Sequence, residues 1–403
     1  MILLTLSQKR VLEEVLLLVK KVPEIRFKGF YTDWEQRKLG EEATIVVGGD
    51  IDKAKLLKSG KYPVLANALT NDGIVGYYED NYRIGAPAVT VTGRGDVGYA
   101  KARRTNFTPV VRLLAVTSDH DIDFLEAALN NHKKIIESTG VPQLTSPQLA
   151  KYKILFPSLE EEKKIGAFFN QLDQTIALHL RKLQALQQLK KGFLQKMFPE
   201  NQEKVPQIRF AHFQEEWEQR KVMDMSEETY GGGTPRTNNK EYWQGEFPWI
   251  QSSDLKNDQL CDVIPTKFIT NEAINKSATK VIPSNSIAIV TRVGVGKLAL
   301  IPYDYTTSQD FLSLSRLTVE PWFGVYSLYK LLKKEINNIQ GTSIKGITKL
   351  DLLEKKIILP SSLEEQIKIG AFFQKLDSTI ALHQSKLEHL QSIKHSLLQK
   401  MFL

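Results

Sequence analysis

SLEEEKKIGAFFNQLDQTIALHLRKLQALQQLKKGFLQKMF, residues 158–198, decides the fold of this 403-residue chain because it occurs twice. The second copy, SLEEQIKIGAFFQKLDSTIALHQSKLEHLQSIKHSLLQKMF, covers residues 362–402 at an offset of 204 without a gap, and 27 of the 41 positions are identical. Solenoid repeats have periods of about 20–50 residues. The much longer offset indicates two related halves instead of an array of small repeats.

Both copies carry apolar residues at alternating steps of four and three. The first series is Ile165, Phe169, Leu172, Ile176, His179, Leu183, Leu186, Lys190, Phe193 and Met197, and the second is Ile369, Phe373, Leu376, Ile380, His383, Leu387, Leu390, Lys394, Leu397 and Met401. This spacing predicts two long helices, each with a seam for a partner helix. We hypothesise that they pair with each other as an intramolecular coiled coil with pseudo-two-fold symmetry. His179 and His383 are interpreted as polar residues that set the register, with a metal or catalytic role as the alternative.

A shorter repeat precedes each long one. VPEIRFKGFYTDWEQRK, residues 22–38, matches VPQIRFAHFQEEWEQRK, residues 205–221, at an offset of 183. The segments between the short and long blocks differ in length by 21 residues and show little identity. Two constant frames therefore each hold a divergent insert. The predicted divisions are 1–38 (N-terminal helical segment and first short block), 39–157 (first insert), 158–221 (central long helix and second short block), 222–360 (second insert) and 361–403 (C-terminal long helix).

The two inserts read as mixed α/β and rich in strands. Short apolar runs such as APAVTVTG and SIAIVTRVG lie between Gly, Asn and Asp turns, which is typical of strands. Each insert also has one predicted helix, DIDFLEAALNNHKKII in the first and VYSLYKLLKKEINNI in the second, followed by a short strand, YKILFP or KKIILP. The predicted fold class is α+β, with two strand-rich domains separated by two paired long helices.

Composition excludes several classes of protein. Apolar residues make up 42% of the chain and charged residues 25%, as in ordinary globular proteins. The single cysteine, Cys261, excludes an internal disulfide or a cysteine-built metal site and fits a cytoplasmic location. Charged residues interrupt the apolar segment 1–19, which predicts an amphipathic helix and not a membrane span. The net charge of +8 is modest, so binding of a polyanion would depend on local clusters.

Gly93-Arg94-Gly95-Asp96-Val97-Gly98 has the G-x-G-x-x-G spacing of a dinucleotide-binding loop. Such a loop needs a helix immediately after it, whereas the next residues, YAKARRTNFTPVV, predict a strand. We interpret the motif as a tight hairpin turn. TRVGVGKLAL in the second insert occupies the same place, with Arg292 matching Arg94.

Basic and amide side chains near these turns are the candidate DNA-binding residues. Arginine can bond guanine edges or phosphates, and asparagine can read adenine. The candidates are Arg94, Lys101, Arg103 and Arg104 in the first insert, and Thr234, Arg236, Asn238, Lys240, Arg292 and Lys297 in the second. The alternatives are a solvated charged face for the first group and, for the loop near Trp243 and Trp249, a surface loop held by two core tryptophans.

Sequence motifs of catalysis are missing. The chain has no G-x-x-x-x-G-K-[ST] loop, no H-E-x-x-H, no Cys/His cluster and no G-x-S-x-G elbow. No pair of carboxylates stands out, although a nuclease site could be built from scattered acidic residues. We therefore expect a protein that binds and does not catalyse, with no catalytic residue and no metal site.

The repeated SLEEQIKIGAFFQKLD-type blocks, the IRFxxFxxxWEQRK blocks and the divergent inserts together resemble the DNA-specificity subunit of type I restriction–modification enzymes. The resemblance covers residues 22–402 and implies that each insert is a target-recognition domain reading one half of a bipartite, asymmetric site in double-stranded DNA. The long helices would set the spacer between the half-sites.

The resemblance also implies partners. Two modification subunits would use S-adenosylmethionine to methylate adenine N6, and two restriction–translocase subunits would use ATP and Mg²⁺, so that this chain itself would need no cofactor. Two alternatives stay open: a stand-alone sequence-specific nuclease, and a coiled-coil scaffold whose inserts bind protein.

Overall fold

The computed structural model describes residues 22–132, 142–200, 203–339 and 346–402. The predicted N-terminal amphipathic helix lies outside these residues, as does the predicted helical sequence beyond residue 132. The chain forms two compact units. Unit 1 contains residues 1–181 and 385–403, and unit 2 contains residues 182–384. Each unit therefore includes part of both long repeats.

The elements of unit 1 follow the predicted order of strands, helix, short strand and long helix. They are β1 (Glu35–Lys38), α1 (Leu39–Glu42), β2 (Ala43–Val47), β3 (Tyr62–Leu65), β4 (Ile74–Tyr78), β5 (Ala88–Thr92), β6 (Ala100–Arg103), β7 (Thr108–Pro109), β8 (Leu113–Ser118), α2 (Ile122–Asn131), α3 (Ser146–Ala150), β9 (Lys153–Phe156) and the first part of α4 (Leu159–Lys196).

Unit 2 repeats this order and adds a short helix, α5, between its third and fourth strands after β10. Its elements are β10 (Glu218–Lys221), β11 (Ser226–Gly231), β12 (Phe247–Ile250), β13 (Lys267–Ile269), α5 (Asn271–Asn275), β14 (Ser286–Val290), β15 (Leu298–Ile301), β16 (Thr306–Thr307), β17 (Phe311–Leu317), α6 (Pro321–Ile339), α7 (Lys349–Leu353), β18 (Lys356–Leu359) and the first part of α8 (Leu363–Met401).

The sheets of the two units correspond strand for strand. The four-stranded sheet has the order β2-β8-β5-β6 in unit 1 and β11-β17-β14-β15 in unit 2, with all neighbours antiparallel. The three-stranded sheets, β4-β3-β7 and β13-β12-β16, each contain one parallel pair. The unlike inserts thus share one fold, in which each has the predicted helix followed by a short strand.

The short blocks attach each domain to a long helix. Their EQRK residues form β1 and β10, which pair with the exit strands β9 and β18. Arg26 makes two 2.7 Å hydrogen bonds to the buried Glu161 in the first turn of α4. Arg209 binds Glu365 of α8 in the same way. Bidentate pairing of this kind fixes orientation as well as distance.

The long helices pair in antiparallel fashion, which confirms the predicted pairing. In unit 1 the first part of α4 packs with the end of α8, and Lys394 Nζ lies 2.5 Å from Asp173 Oδ1. In unit 2 the end of α4 packs with the first part of α8, and Lys190 Nζ lies 2.6 Å from Asp377 Oδ1. All twenty predicted seam residues are buried or partly buried, because a seam exposed on either helix would leave apolar surface in water.

Each unit completes its core with the end of the long helix that follows the other insert. Phe402 lies in unit 1 with its ring 6.2 Å from that of Trp34 and 5.5 Å from that of Phe124. Phe198 makes the equivalent contacts in unit 2, at 6.2 Å from Trp217 and 5.7 Å from Phe323. The identical QKMF sequences of the two repeats therefore serve as reciprocal core residues.

Candidate nucleic-acid interface

The turns at one end of each four-stranded sheet lie together. In unit 1 this first loop end comprises residues 67, 93–99, 110–112 and 142–144. Asn67 ties it together, because its Oδ1 accepts from Gly93 N at 2.8 Å and its Nδ2 donates to Val111 O at 3.1 Å. Leu144 N donates to Gly93 O at 2.9 Å. The first loop end is therefore a connected structure and not a set of independent loops.

The second loop end lies at the same place in unit 2 and comprises residues 232–240, 291–297, 308–310 and 346–349. Thr291 N donates to Asp310 O, and Ile347 N donates to Thr291 O. Thr234 Oγ1 donates to Gln309 Oε1 at 2.7 Å. Both loop ends thus present the turn of the central hairpin beside the turn that precedes β8 or β17.

The G-x-G-x-x-G segment is a hairpin turn between β5 and β6, as predicted. Gly98 N donates to Thr92 O at 2.7 Å, and Gly98 has a φ of +78°. In unit 2, Gly296 has a φ of +90°, and its N donates to Val290 O. Glycine adopts such a φ without steric cost. No helix follows either turn, so the geometry of a dinucleotide-binding loop is absent from both.

The four basic candidates of the first insert do not lie together. Arg94 is exposed at the first loop end. Arg103 is at the opposite end of the hairpin, where its Nη1 lies 2.6 Å from Asp72 Oδ2, and Arg104 binds both carboxylate oxygens of Asp123. Lys101 is partly buried and borders a cleft beside the long helices. Arg94 is thus the candidate that the fold leaves without a carboxylate partner at the loop end.

The six candidates of the second insert all lie at the second loop end. Arg236, Asn238, Lys240 and Arg292 are exposed, whereas Thr234 and Lys297 are partly buried. Lys297 Nζ donates to Ser252 O at 3.1 Å, which ties the hairpin turn to the chain after β12. The four exposed side chains can contact a ligand. Thr234 and Lys297 instead form hydrogen bonds that stabilise the loops carrying those four side chains.

Two tryptophans anchor the loop of Arg236. Trp249 is buried and donates from Nε1 to Gly233 O at 3.1 Å, and Trp243 donates to Arg236 O at 3.2 Å. A Cβ on Gly232 would clash with Ser308 O, and one on Gly233 would lie 2.6 Å from Ala278 O. These glycines therefore permit close approach to the protein's own backbone. The tryptophans and glycines build the loop, and its polar side chains remain exposed.

The arginines of the two inserts fall into two groups, those whose guanidinium binds another group of the protein and those whose guanidinium does not. In the first insert Arg103 and Arg104 bind carboxylates, and Arg83 donates to Asp50 O. In the second, Arg316 pairs with Glu228. Within the described ranges, the four remaining guanidinium groups have no hydrogen-bond or ion-pair partner, and all four lie at the loop ends: Arg94 and Arg112 in unit 1, Arg236 and Arg292 in unit 2.

The candidate residues predicted from the sequence do not include Arg112, although it ends the same basic stretch as Arg94, and they do not include Lys349. Arg112 lines an open pocket of about 530 Å³ together with Arg94 and Asn67. Lys349 begins α7, and a Cβ on Gly231 would lie 2.5 Å from its Nζ. Burial and the nearby charge of Arg292 lower the pKa of Lys349. Neither residue lies in a motif. The one signal in the sequence is Thr348, a residue type favoured at helix N-caps, which precedes Lys349 and marks the start of α7.

The loop ends and the long helices lie at opposite ends of the same strand. β8 begins directly after Arg112, and just beyond its far end Asp121 N donates to Glu162 of α4 at 3.0 Å. In unit 2, β17 begins after Asp310, and beyond it Glu320 N donates to Gln366 of α8 at 2.9 Å. A strand of six residues spans about 20 Å. Each domain therefore holds the arginines of its loop end away from the helix that supports it.

A family model described as "Type I restriction modification DNA specificity domain" matches residues 31–188 and 214–392, which include both inserts. This chain belongs to that family. It is 30% identical over 200 residues to the type I restriction enzyme MjaIX specificity subunit of Methanocaldococcus jannaschii, covering 47% of this chain and 44% of that protein. It is 34% identical over 160 residues to the EcoR124I/EcoR124II specificity subunit of Escherichia coli, covering 37% and 38%. These matches span less than half of each relative's length.

Solved structures of the family share the fold. The S subunit of the type I restriction–modification system from M. genitalium superposes with a TM-score of 0.69 at 15% identity, covering 95% of this chain and 99% of that one. A chain from a study of complex assembly and conformational transition in the type I system gives 0.53 at 17% identity, covering 93% and 99%. Within the ranges that the structure describes, no helix is long and apolar enough to cross a membrane.

Proposed function

We propose that this chain is the specificity subunit of a type I restriction–modification system and that it performs no catalysis itself. Its recognition domains, residues 39–157 and 222–360, each read one half of a bipartite, asymmetric site in double-stranded DNA. The chain works in the cytoplasm, where that DNA is found. Phosphate contacts supply salt-dependent affinity, and base-edge contacts select the sequence.

One observation carries this proposal: two inserts with the same fold present different side chains at the same loop end. Arg94 and Arg292 occupy equivalent turns, whereas Asp310 stands in unit 2 where unit 1 has Arg112. The loop of Arg236 follows Gly232 and Gly233, and the equivalent loop after Gly48 and Gly49 in unit 1 carries no arginine. A common scaffold with unlike exposed residues fits the reading of two unlike half-sites. Family membership supports the assignment to DNA.

The proposed division of labour assigns separate tasks to the helices and to the partners. The paired long helices set the spacer between half-sites, as a rigid dimer interface does in two-fold DNA-binding proteins. They also dock two modification subunits, which use S-adenosylmethionine to methylate adenine N6. Two restriction–translocase subunits supply the ATP- and Mg²⁺-dependent steps. The chemistry therefore belongs to partner chains.

Exchange of one insert tests the proposal. Residues 39–150 are replaced by the corresponding insert of another family member, which leaves the β1–β9 pair at the base of the domain intact. Methylated adenines are then mapped in a host that carries the chimera and the modification subunit. We expect one half-site to change, while the second half-site and the spacer remain those of the parent.

The reciprocal chimera, with a foreign insert at residues 222–350, serves as the control and should change only the other half-site. A change in both half-sites, or in neither, would contradict the assignment of one insert to each. Metal-dependent cleavage of DNA by the purified chain would favour a stand-alone nuclease. Absence of methylation with the parent chain and a competent modification subunit would favour a protein-binding scaffold.

A further inference from the structure

Arg112 has a backbone conformation that its side chain disfavours. Its φ is +72°, in the left-handed region. Eight described residues other than glycine have a positive φ, and six of them are Asn, Asp or His, the types that tolerate it best. The two exceptions are Arg112 and Arg316. Such strain persists only where the surrounding structure enforces it, and it is concentrated at functional sites.

The ion pair with Glu228 gives Arg316 a role in the fold. Arg112 has no such role, because no described residue forms a hydrogen bond or ion pair with its guanidinium. Among the described residues, no hydrogen bond or ion pair would therefore be lost if residue 112 were glycine, which adopts this φ without strain. An arginine at this position strains the backbone and gives no hydrogen bond or ion pair to the described residues in return.

Three contacts enforce the turn around Arg112. Asn67 Nδ2 holds Val111 O at 3.1 Å, Val110 N donates to Leu65 O at 2.8 Å, and Leu113 N donates to Val110 O at 3.0 Å. Gly93 leaves room for Arg112 O, which a Cβ on Gly93 would overlap. The surrounding segments of the protein thus hold residue 112 in this conformation. The side chain of Arg112 lies at the pocket that Arg94 also lines.

We propose that Arg112 contacts the DNA of the first half-site together with Arg94, and that Asn67 positions the turn that carries it. This inference rests on the function proposed above and adds a specific contact to it. Both guanidinium groups would donate to oxygen or nitrogen acceptors, either on phosphates or on guanine edges, which present the same chemistry to arginine.

Arg112→Gly separates binding from folding. Glycine removes the guanidinium and relaxes the backbone, so we expect the melting temperature of the full chain to stay unchanged or to rise. In the assembly with the modification subunit, methylation of the native site should fall about tenfold or more, the usual effect of losing a good arginine contact. Arg112→Ala should lower methylation similarly, but it keeps the Cβ and therefore the backbone strain, so its melting temperature should stay near the parental value and not exceed that of Arg112→Gly.

Arg316→Gly is the matched control, because it removes the same charge and the same positive-φ side chain from the second insert. Its methylation should remain at the parental level. A uniform loss in Arg112→Gly across sequences would indicate a phosphate contact, and relaxed choice at one base pair of one half-site would indicate a base contact; either supports the proposal. Parental methylation and sequence preference in Arg112→Gly would overturn it. If the parent chain directed no methylation to a bipartite site, the proposed function itself would fail.

Discussion

At the residue scale, two glycines show why the long helices carry the sequence IGAFF. Gly166 of α4 and Gly370 of α8 lie where the helix that follows each four-stranded sheet begins. A Cβ on Gly166 would clash with Asp121 Oδ1 and lie 2.8 Å from Phe124 N, and one on Gly370 would clash with Glu320 Oε2. The glycines thus allow each domain to pack against its long helix at backbone distance.

Gly166→Ala and Gly370→Ala should therefore destabilise the protein, although alanine is the better helix former. Overpacking at such sites costs about 1–3 kcal/mol, and thermal unfolding monitored by circular dichroism would measure it. Gly192→Ala in the same helix α4 is the control, because an added Cβ there would face open space beyond its own helix backbone. That variant should gain about 0.5–1 kcal/mol. Equal effects of Gly166→Ala and Gly192→Ala would contradict this account.

The positions of side chains could be predicted where the local sequence encodes a turn. They could not be predicted where the ion-pair partner is distant in sequence. The glycine spacing around Arg94 and Arg292 placed both arginines at hairpin turns. The partner of Arg103 is Asp72, 31 residues away, and no local pattern announces such a pair. Arg103 therefore remains a predicted DNA contact, although its side chain already forms an ion pair with Asp72.

At the element scale, the charge pairs between the long helices explain two of the seam positions that are not apolar. Lys190 and Lys394 interrupt the apolar seams, and each meets an aspartate of the opposite helix. Lys190 and Asp377 are 12% and 17% exposed, whereas Lys394 and Asp173 are 29% and 41% exposed. Asp377 also accepts a 2.7 Å hydrogen bond from Tyr326. The two pairs are equivalent by sequence but differ in environment.

Asp377→Asn should consequently cost more than Asp173→Asn. Loss of one partner from the more buried pair leaves Lys190 without its counter-charge, at about 1.5–3 kcal/mol, while exposed pairs contribute about 0.2–1 kcal/mol. Chemical denaturation of the two single variants, side by side and at two salt concentrations, would measure the difference. A larger loss in Asp173→Asn than in Asp377→Asn would show that exposure does not govern these pairs.

Elements with a regular spacing of apolar residues could be predicted from the sequence. Strands made of polar residues, and strands separated by a turn inside an apolar run, could not. The step of four and three revealed both long helices from end to end. The EQRK strands β1 and β10 are exposed at all four positions, so they lack the alternation that identifies a strand. The run TPVVRLLAV, residues 108–116, has the composition of a single strand. It forms β7 and β8 with the turn of Arg112 between them, because the tertiary contacts of Val110 and Val111 override local propensity.

At the scale of the whole molecule, each unit depends on a helix end from a distant part of the sequence. Met401 and Phe402 belong to the core of unit 1, and Met197 and Phe198 to that of unit 2. The internal repeat predicted that the two helices pair, but identical QKMF sequences cannot reveal which core each one enters. Only the antiparallel arrangement decides that each enters the core built on the other long helix.

Phe402→Ala should loosen unit 1 selectively, and Phe198→Ala should loosen unit 2. Truncation of a buried phenylalanine costs about 3–5 kcal/mol, and the two rings are 8% and 4% exposed. Hydrogen exchange would locate the effect: faster exchange in β8 with β17 unchanged for Phe402→Ala, and the reverse for Phe198→Ala. Faster exchange confined to unit 2 in the Phe402→Ala protein would contradict the assignment of the two cores.

This reciprocal use of helix ends constrains the order of events during synthesis. A ribosome releases residues 22–181 well before residues 385–402, and the first domain waits for those last residues to cover Trp34 and Phe124. The second domain has its phenylalanine already in place at residue 198 before its own strands emerge. The nascent first domain therefore exposes apolar surface throughout the translation of the second, which is the period in which chaperone binding would protect it.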